Sequence, residues 1–566
     1  MTWPCAGNGQ GMSERWYREA VIYCIDVETF QDSDGDGWGD LPGLISRLDY
    51  LSRLGVTCLW LNPIHPSPMR DAGYDVSDFY GVDPRLGSLG DVVELCREAE
   101  ERGIRILLDL VVNHTSDQHP WFRSARSSPD SPYRDWYVWS DTEPPDRFEG
   151  MVFPGEQTET WTWDDEAGAW YYHRFFDFQP DLNWSNPAVR REVKKIIAFW
   201  LQLGASGFRI DAAPFILERR TAHGWVQNDF AILDEWRQHL QWIRGDAVLL
   251  CEANVDADVI PLYTASTRGG QNDRAQMLFA FEINPLLWLA LARRRAEPLL
   301  TGLKQMTPLA DRAQWVTFLR NHDELDLSRL TTEQRDDVYA EFAPDPRSRE
   351  FDRGIRRRLA PMFRGDEARM RLAYSLQFSL PGTPMIRYGE EIGMADLMSQ
   401  PGRDSMRTVM QWEPGARAGF SPADPASFAH PLAPRGVGGR TRPNVIDEQR
   451  DHTSLLRWFA EMIRTLKECP EVGTGKLTVL DQPLPPAVLA HRFDADEGTL
   501  LLLHNLDGEP VTVDLGPQKD VAVETPREVF ADDAYAAPTK TLTGLALNPY
   551  GYRWIRLRRG WVANQT

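Results

Sequence analysis

The segment IRILLDLVVNH (residues 104–114) is a continuous apolar run that ends at Asn113 and His114. Such a run, without polar alternation, is typical of a strand buried on both faces of a parallel sheet. Seven further short apolar runs alternate with segments of helical periodicity: AVIYCIDV (20–27), TCLWL (57–61), SGFRID (206–211), AVLLCEA (247–253), MLFAF (277–281), QWVTFLRN (314–321) and TPMIRYG (383–389). Eight strand–helix units predict an α/β fold closed into a (β/α)8 TIM barrel. A doubly wound open sheet is the competing architecture, but no GxGxxG motif follows the first strand.

Two regions interrupt this alternation and predict additional domains. Residues 115–178 are rich in Trp, Tyr, Pro, Asp and Ser and are too long for an ordinary barrel loop, which predicts an inserted subdomain after strand three. From residue 475 onward, short strands of period two alternate with Gly, Pro and Asp turns, as in an antiparallel β-sandwich. The predicted organisation is an N-terminal extension (1–13), a barrel (14–114 and 179–474), an inserted subdomain (115–178) and a C-terminal antiparallel β-sandwich (475–566).

The composition indicates a globular protein with an acidic surface. The 566 residues include 62 Lys and Arg against 83 Asp and Glu, which gives a net charge of −21 at pH 7. This charge disfavours nucleic acid and anionic membranes as partners but does not penalise neutral ligands. The six cysteines form no CxxC pair, and no apolar run reaches the ~18 residues of a membrane span. Without an apolar signal-peptide core near residue 1, we expect a cytoplasmic protein, and its oligomeric state is unknown from sequence.

Charged side chains follow three of the predicted barrel strands. Asp211, Glu252 and Asp323 stand at the ends of the fourth, fifth and seventh strands, and Arg209 shares a strand face with Asp211. Active sites of such barrels lie where these strand ends meet, and burying three carboxylates in a core would be costly. Two carboxyl groups that flank one glycosidic bond can perform retaining hydrolysis, one as an anion and one as a proton donor. We expect Arg209 to lower the pKa of Asp211 and to keep it ionised.

Two other interpretations of these strand ends stay open. The carboxylates could be solvated charges that pair with Arg209 and Arg320. Alternatively, His114 and His322 could bind a metal ion, although the chain has neither HExxH spacing nor cysteine partners to support such a site.

The segment DSDGDGWGD (32–40) predicts a calcium site. Its alternating Asp and Gly residues form a tight loop that offers hard oxygen ligands, which Ca²⁺ prefers. The predicted ligands are Asp32, Asp34, Asp36, the carbonyl of Trp38, and Asp40. The loop differs from an EF-hand because its twelfth position is Gly43 and no helix leads into it. A solvated acidic turn is the alternative, and a bound Ca²⁺ would be structural because the loop contributes no catalytic acid.

Five motifs resemble those of the α-amylase superfamily, glycoside hydrolase family 13: DLVVNH (109–114), QPDLN (179–183), GFRID (207–211), CEAN (251–254) and FLRNHDE (318–324). The resemblance implies that Asp211 is the nucleophile, Glu252 the acid/base and Asp323 the transition-state stabiliser. It also implies a substrate subsite formed by Asp71, Tyr74, His114, Phe175, Arg209, His322 and Arg407, and no organic cofactor. A loop similar to residues 32–40 binds Ca²⁺ in many members, which favours a structural calcium ion.

Within that family, several segments resemble trehalose synthases, and related α-glucosidases share some of them: SDQHPWF (116–122), YRDWYVWSD (133–141), GIRRRLAP (354–361), SLPGTP (379–384) and RTVMQW (407–412). Four places depart from the synthase pattern, one of which is the segment after GFRID (207–211), which is reshaped. Cys24 and Asp26 stand in the first-strand motif where synthases usually carry YEV. FAFEINPLLWL (279–289) replaces an FHFPLMPRL-like run, and RYGEE (387–391) replaces YYGDE.

These departures bear on what happens after bond cleavage. Isomerisation requires the freed glucose to be held in a closed, dry site, and altered loops can admit water. We therefore expect a retaining glycosidase that cleaves small α-glucosides by hydrolysis with some transglucosylation, releasing glucose as a main product. A maltose–trehalose isomerase is the alternative enzyme. A catalytically silent carbohydrate-binding protein is the alternative from another class, but all three carboxylates are present.

Overall fold

Eight parallel strands close into a barrel, as the sequence predicts. The computed structural model describes residues 15–557 except 222, 223, 227, 266–273, 481, 497, 517, 519, 520, 522 and 524, so the predicted extension at 1–13 lies outside the described residues. The barrel strands are β1 (Ile22–Ile25), β2 (Cys58–Leu61), β3 (Arg105–Leu110), β4 (Gly207–Ile210), β5 (Val248–Cys251), β6 (Met277–Phe279), β7 (Gln314–Phe318) and β8 (Thr383–Arg387). Each strand pairs in parallel with both neighbours, and β8 pairs with β1. This closure excludes the open doubly wound sheet.

The barrel interior is a packed core. Side chains from several strands meet along the axis, among them Ile22, Trp60, Leu107, Leu250 and Met385, all fully buried. Because the interior is filled, only the ends of the strands can hold a ligand.

Helices cover the outside of the barrel. They are Leu41–Ser46, Leu48–Leu54, Leu89–Glu101, Pro187–Gln202, Ala231–Ile243, Ile260–Thr264, Asn284–Arg293, Glu297–Gln305, Thr332–Phe342, Glu367–Phe378 and Leu455–Lys467. Four further helices are Ala213–Leu217, Leu359–Met362, Val445–Arg450 and Glu471–Thr474. Local sequence sets their starts: Ser88 forms a capping box with Asp91, and the Asn186 side chain accepts the amide of Ala188. None of the helices in the described ranges is long and apolar enough to cross a membrane.

The segment between β3 and β4 contains a small subdomain beside the strand ends. It consists of the helix Pro120–Ser127 and a three-stranded sheet in the order Trp139–Ser140, Ala169–Tyr172, Trp161–Asp164. Rings of Phe122, Tyr137, Trp139 and Tyr171 pack against one another within it. The subdomain therefore has its own aromatic core and forms one wall above the barrel.

The C-terminal region is antiparallel, as predicted. One sheet has five strands in the order Lys476–Val479, Val488–Ala495, Gly498–Asn505, Tyr552–Leu557 and Arg527–Ala531. A second sheet pairs Val511–Val513 with Leu545–Leu547, and an apolar cluster that includes Leu501, Leu503 and Ile555 lies between the two sheets. The opposite face packs on the barrel, where His504 and Trp554 both hydrogen-bond Ser375 of the helix Glu367–Phe378.

Candidate active site

The carboxyl ends of the barrel strands enclose a cavity of about 430 Å³. Asp211 directly follows β4, Glu252 follows β5, and Asp323 lies on the segment after β7. All three line this cavity, as do five of the predicted substrate residues: Asp71, Tyr74, His114, Phe175 and His322. The strand ends thus bring together side chains that are distant in sequence. Asp211 is 8% exposed, too deeply buried for a solvated strand-end charge.

Arg209 links three carboxylates beneath the cavity floor. Its guanidinium is 1% exposed, and its Nη1 lies 2.8 Å from Asp109 Oδ1 and 2.6 Å from Asp211 Oδ1. Its Nη2 lies 2.8 Å from Glu252 Oε2. The contact with Asp211 follows from the period of a strand, which places residues two apart on one face. The contact with Glu252 depends on the neighbouring strand β5 and is not predicted by the sequence.

The pKa of Asp211 is shifted in the direction opposite to the one expected from the sequence. Burial raises the pKa of Asp211 well above its ordinary value, and the charges of Glu252 and Asp109 add to this shift. Arg209 opposes it but does not reverse it. The expected net lowering of this pKa is therefore wrong, because the depth of burial outweighs the single cation.

Asp323 lies among positive and hydrogen-bonding groups. Burial would raise its pKa, but His322, Arg403 and Arg407 hold it well below its ordinary range. His322 Nε2 lies 2.9 Å from Asp323 Oδ2, and Arg403 forms an ion pair with Asp323. Arg407 Nη2 is 3.8 Å from the same carboxylate. These groups therefore hold Asp323 in its ionised form.

Tyr74, His114 and His322 form the buried end of the cavity. The Tyr74 hydroxyl lies 2.8 Å from His322 Nε2 and donates to Asp109 Oδ2 at 2.9 Å. Its ring stacks on that of His322 with an interplanar angle of 7°. His114 Nε2 bonds the carbonyl oxygen of Tyr74, and burial lowers the pKa of His114 to about 4, so this ring is neutral near pH 7. Each of these groups can bond a sugar hydroxyl or cover its apolar face.

Several lining residues are not among those predicted from the sequence. Among them are Phe153 from the inserted segment, Phe215 of the helix Ala213–Leu217, Phe281 after β6, Glu324 next to Asp323, Arg353, and Arg403. Arg403 reaches both Asp71, at 3.2 Å, and Asp323, whereas the predicted Arg407 stands behind them. Both arginines belong to the segment RDSMR (403–407), and a short 3-10 helix, Gly402–Met406, turns Arg403 toward the cavity.

Two of the departures from the synthase pattern contact each other. Arg387, at the end of β8, is 1% exposed, and its Nη2 lies 3.2 Å from Oδ2 of Asp26, just after β1. Asn62 also donates to the Asp26 carboxylate. In the departure after strand six, FAFEINPLLWL (279–289), Phe281 lines the cavity, and Glu282 accepts hydrogen bonds from Thr307 at 2.7 and 2.9 Å. Neither Asp26 nor Arg387 lines the cavity.

The acidic loop brings three of its predicted ligands together. Carboxylate oxygens of Asp32, Asp34 and Asp40 lie within 4.8 Å of one another. Among the described residues, this is the one group of three or more His, Cys, Asp or Glu side chains that are close enough to share a metal ion. Asp36 is outside this group, and its Oδ1 accepts the amide of Trp38 at 2.7 Å. His114 and His322 belong to no such group in the same part of the chain. The oxygen-only donor set fits a hard cation such as Ca²⁺.

Comparison with known proteins places these observations in a family context. Residues 24–343 and 355–475 match the family model for the alpha amylase catalytic domain, and residues 498–556 match the sucrose hydrolase-like C-terminal domain. The chain is 41% identical over 556 residues to the trehalose synthase/amylase TreS of Mycolicibacterium smegmatis, covering 96% of this chain and 93% of that protein. It is 38% identical to the trehalose synthase of a Pimelobacter species, covering 97% and 96%. The crystal structure of isomaltulose synthase PalI from Klebsiella sp. LX3 aligns with a TM-score of 0.76 at 26% identity, over 96% of this chain and 99% of that one.

Proposed function

The chain belongs to the α-amylase family of glycoside hydrolases, and we propose that it cleaves small α-glucosides with retention of configuration. The observation that carries this proposal is the convergence of Asp211, Glu252 and Asp323 on one cavity at the carboxyl ends of β4, β5 and β7. Asp211 and Glu252 also contact the same guanidinium group, that of Arg209, which supports the short separation that direct attack requires.

The proposed reaction has two displacements. In the first, the Asp211–Glu252 pair carries one proton, which lies on Glu252, and the ionised Asp211 carboxylate attacks the anomeric carbon. The glycosidic C–O bond breaks, and the proton of Glu252 moves to the leaving oxygen. In the second, Glu252 takes a proton from water or from a sugar hydroxyl, whose oxygen displaces Asp211 from the glucosyl group. Asp323 is ionised throughout and stabilises the positive charge that develops on the sugar ring in both steps.

The buried end of the cavity is the proposed glucose subsite. Tyr74, His114 and His322 are at most 8% exposed and would enclose one sugar ring against Phe175. Asp71 is held by Gln179 and Arg403, which fixes its carboxylate for bonding to sugar hydroxyls. Arg209 and Arg407 act from behind this layer by positioning the acids.

Isomerisation between maltose and trehalose is the second candidate function. It is favoured by the likeness to proteins named trehalose synthase along at least 96% of this chain. It is also favoured by the contact between Asp26 and Arg387, which both belong to departures from the synthase pattern. Because these two residues pair with each other beneath the cavity, their changes open no new route for water into the cavity. Of the departures in the first-, sixth- and eighth-strand segments, Phe281 alone among the described residues lines the cavity. The reshaped segment after GFRID also contributes Pro214 and Phe215 to the cavity wall.

Product analysis separates the two outcomes. The purified protein is incubated with maltose, trehalose, sucrose and maltotriose, and the products are separated over time. Free glucose as the main product from maltose supports hydrolysis. Conversion of maltose chiefly into trehalose supports isomerisation, and no cleavage of any of the four sugars would overturn the proposed function.

We also propose that the loop 32–40 binds one structural Ca²⁺. Asp32, Asp34 and Asp40 would supply carboxylate oxygens, with Asp36 and the Trp38 carbonyl as the remaining predicted ligands. The ion would tie the loop to its surroundings and takes no part in bond cleavage. A cytoplasmic location is likewise a proposal, supported by five free, buried cysteines among the described residues.

A further inference from the structure

The inserted subdomain carries exposed aromatic rings that the proposed mechanism does not use. Trp163 and Trp170 lie opposite each other on neighbouring strands of its sheet, with ring centroids 5.8 Å apart. Phe148 lies on the connection that precedes the strand Trp161–Asp164. Its side chain is 59% exposed, and that of Trp163 is 44% exposed. These rings lie outside the catalytic cavity.

The packing of the subdomain does not account for the two tryptophans. Successive residues of a strand point to opposite faces of a sheet, so Trp170 and Tyr171 lie on different faces. The aromatic core of the subdomain is on the face of Tyr171, whose ring packs against Phe122. Trp163 shares the other face with Trp170, because the two residues pair directly. Neither tryptophan belongs to a hydrophobic core cluster of the described residues.

One arginine joins these rings into a row. The guanidinium carbon of Arg147 lies 4.6 Å from the ring centroid of Phe148 and 4.8 Å from that of Trp170. Ion pairs with two glutamates fix the guanidinium, and its Nε lies 3.0 Å from Glu159 Oε2. Phe148, Arg147, Trp170 and Trp163 therefore form a continuous surface, which we call the aromatic platform. Contiguous exposed apolar groups, unlike single scattered ones, mark binding surfaces.

The mixed chemistry of the platform suits a carbohydrate. A sugar ring has an apolar C–H face that can cover an aromatic ring, and hydroxyls around its edge that bond polar groups. The indole Nε1 of Trp163 donates to Asp165 Oδ1 at 2.9 Å, which places a carboxylate at the edge of that ring. The core of a protein interface would instead be depleted of charges. A nucleic acid could also stack on aromatic rings, but the net charge of −21 repels its phosphates.

The platform adjoins the mouth of the catalytic cavity. Residues 150–153 line that cavity, and Gly150 among them is exposed. Phe148 stands two positions before Gly150 in the sequence, so their Cα atoms are at most about 7 Å apart. A sugar chain that extends out of the cavity past Gly150 would therefore reach the platform.

We propose that the aromatic platform is a second carbohydrate site, outside the catalytic cavity, that binds chains of α-linked glucose. The choice of α-linked glucose rests on the proposed function, whereas the site itself contains none of the catalytic acids. Successive α-1,4-linked units turn relative to one another, and the planes of Trp163 and Trp170 are inclined by 66°, which suits a curved chain better than a flat one. A chain held here would raise the local concentration of glucose units at the cavity mouth.

The test uses β-cyclodextrin, a closed ring of α-1,4-linked glucose. It has no chain end to enter a cavity that is closed at one end, so it probes the surface alone. Calorimetry should give a Kd of about 1 mM for wild type, and Trp163→Ala should raise this Kd at least about tenfold. Trp163→Phe should keep part of the affinity, because it retains an aromatic face. Trp242→Ala, at an exposed tryptophan of the helix Ala231–Ile243, is the matched control and should bind as wild type does.

Two further measurements define the ligand and the site. Cellohexaose, a β-linked chain of glucose, should bind wild type at least about tenfold more weakly than β-cyclodextrin. The kcat/KM for 4-nitrophenyl α-glucoside, which is too short to reach from the cavity to the platform, should change less than about twofold in Trp163→Ala.

Several outcomes would overturn the proposal. They are no binding of β-cyclodextrin by wild type, the same affinity in Trp163→Ala, or an equal loss in Trp242→Ala. Equal binding of cellohexaose would refute the choice of α-linked glucose, and a matching loss of kcat/KM on the aryl glucoside would assign Trp163 to the cavity. A dimer that Trp163→Ala dissociates, seen by light scattering, would assign the surface to a second copy of the chain. Binding does not require cleavage, so a protein that binds β-cyclodextrin but cleaves no glucoside would retain the platform and refute the proposed function.

Discussion

Replacing Asp26 with asparagine should destabilise the barrel, because it leaves the buried Arg387 without its ion-pair partner. Arg387 is 1% exposed and Asp26 is 4% exposed. The Nε of Arg387 has no hydrogen-bond partner among the described residues, so its Nη2 contact at 3.2 Å with Asp26 provides the neutralising charge. Breaking a buried pair by removing one partner costs about 3–5 kcal/mol.

The magnitude is measured by a double-mutant cycle. Urea unfolding followed by tryptophan fluorescence gives the free energy of unfolding for wild type, Asp26→Asn, Arg387→Gln and the double variant. We expect each single variant to lose about 3 kcal/mol, and the double variant to lose less than the sum by about 2 kcal/mol. The coupling arises because the second change removes the charge that the first left unpaired.

A surface pair provides the control. Arg347 and Asp345 lie 2.7 Å apart, but their side chains are 80% and 45% exposed. Asp345→Asn should change the free energy of unfolding very little, since solvent screens the pair. If the losses at Asp26 and Arg387 add to within about 0.5 kcal/mol, the two residues are energetically independent and the compensation inferred from their contact is wrong.

Three further predictions concern the nucleophile, the acidic loop and the C-terminal region. Asp211→Asn should lower kcat at least about a thousandfold while maltose still binds, and near-normal turnover of a variant verified by mass spectrometry would reject its role. EDTA should lower the Tm of wild type by several degrees with little effect on kcat at permissive temperature. If EDTA lowers the Tm of Asp34→Asn by the same amount, the loop binds no Ca²⁺. Burial lowers the pKa of His491 to about 4, below the value of about 6.5 in an unfolded chain. Between about pH 6.5 and pH 4 the unfolded state therefore binds more protons than the folded state. As the pH falls through this range, this group lowers the free energy of unfolding by about 3 kcal/mol. The Tm of His491→Gln should therefore fall less between pH 7 and pH 5 than that of wild type, and an identical fall would assign acid sensitivity to other groups.

Much of the fold and the core of the site could be predicted from the sequence. Apolar runs identify barrel strands because both faces of such a strand are buried. Asp211, Glu252 and Asp323 could be placed together because parallel strands end at the same face of the barrel. The cavity contains all three acids, and their chemical roles stay a prediction.

Other features depend on packing that a linear pattern does not contain. The pKa of Asp211 depends on how deeply the surrounding loops bury it, and a neighbouring arginine in the sequence does not reveal that depth. The contact of Asp26 with Arg387 exists because the first and last barrel strands become neighbours on closure. Arg403 rather than Arg407 reaches the cavity wall because of one turn of 3-10 helix.

The anomeric configuration of the first product tests the central claim most directly. 4-Nitrophenyl α-glucoside releases a single glucose, and proton NMR in the first minutes distinguishes the α-anomer from the β-anomer before mutarotation equilibrates them. Two displacements at the anomeric carbon, the first by Asp211, predict α-glucose as the initial product. Initial release of β-glucose would mean a single displacement by water and would contradict the assignment of Asp211 as the nucleophile.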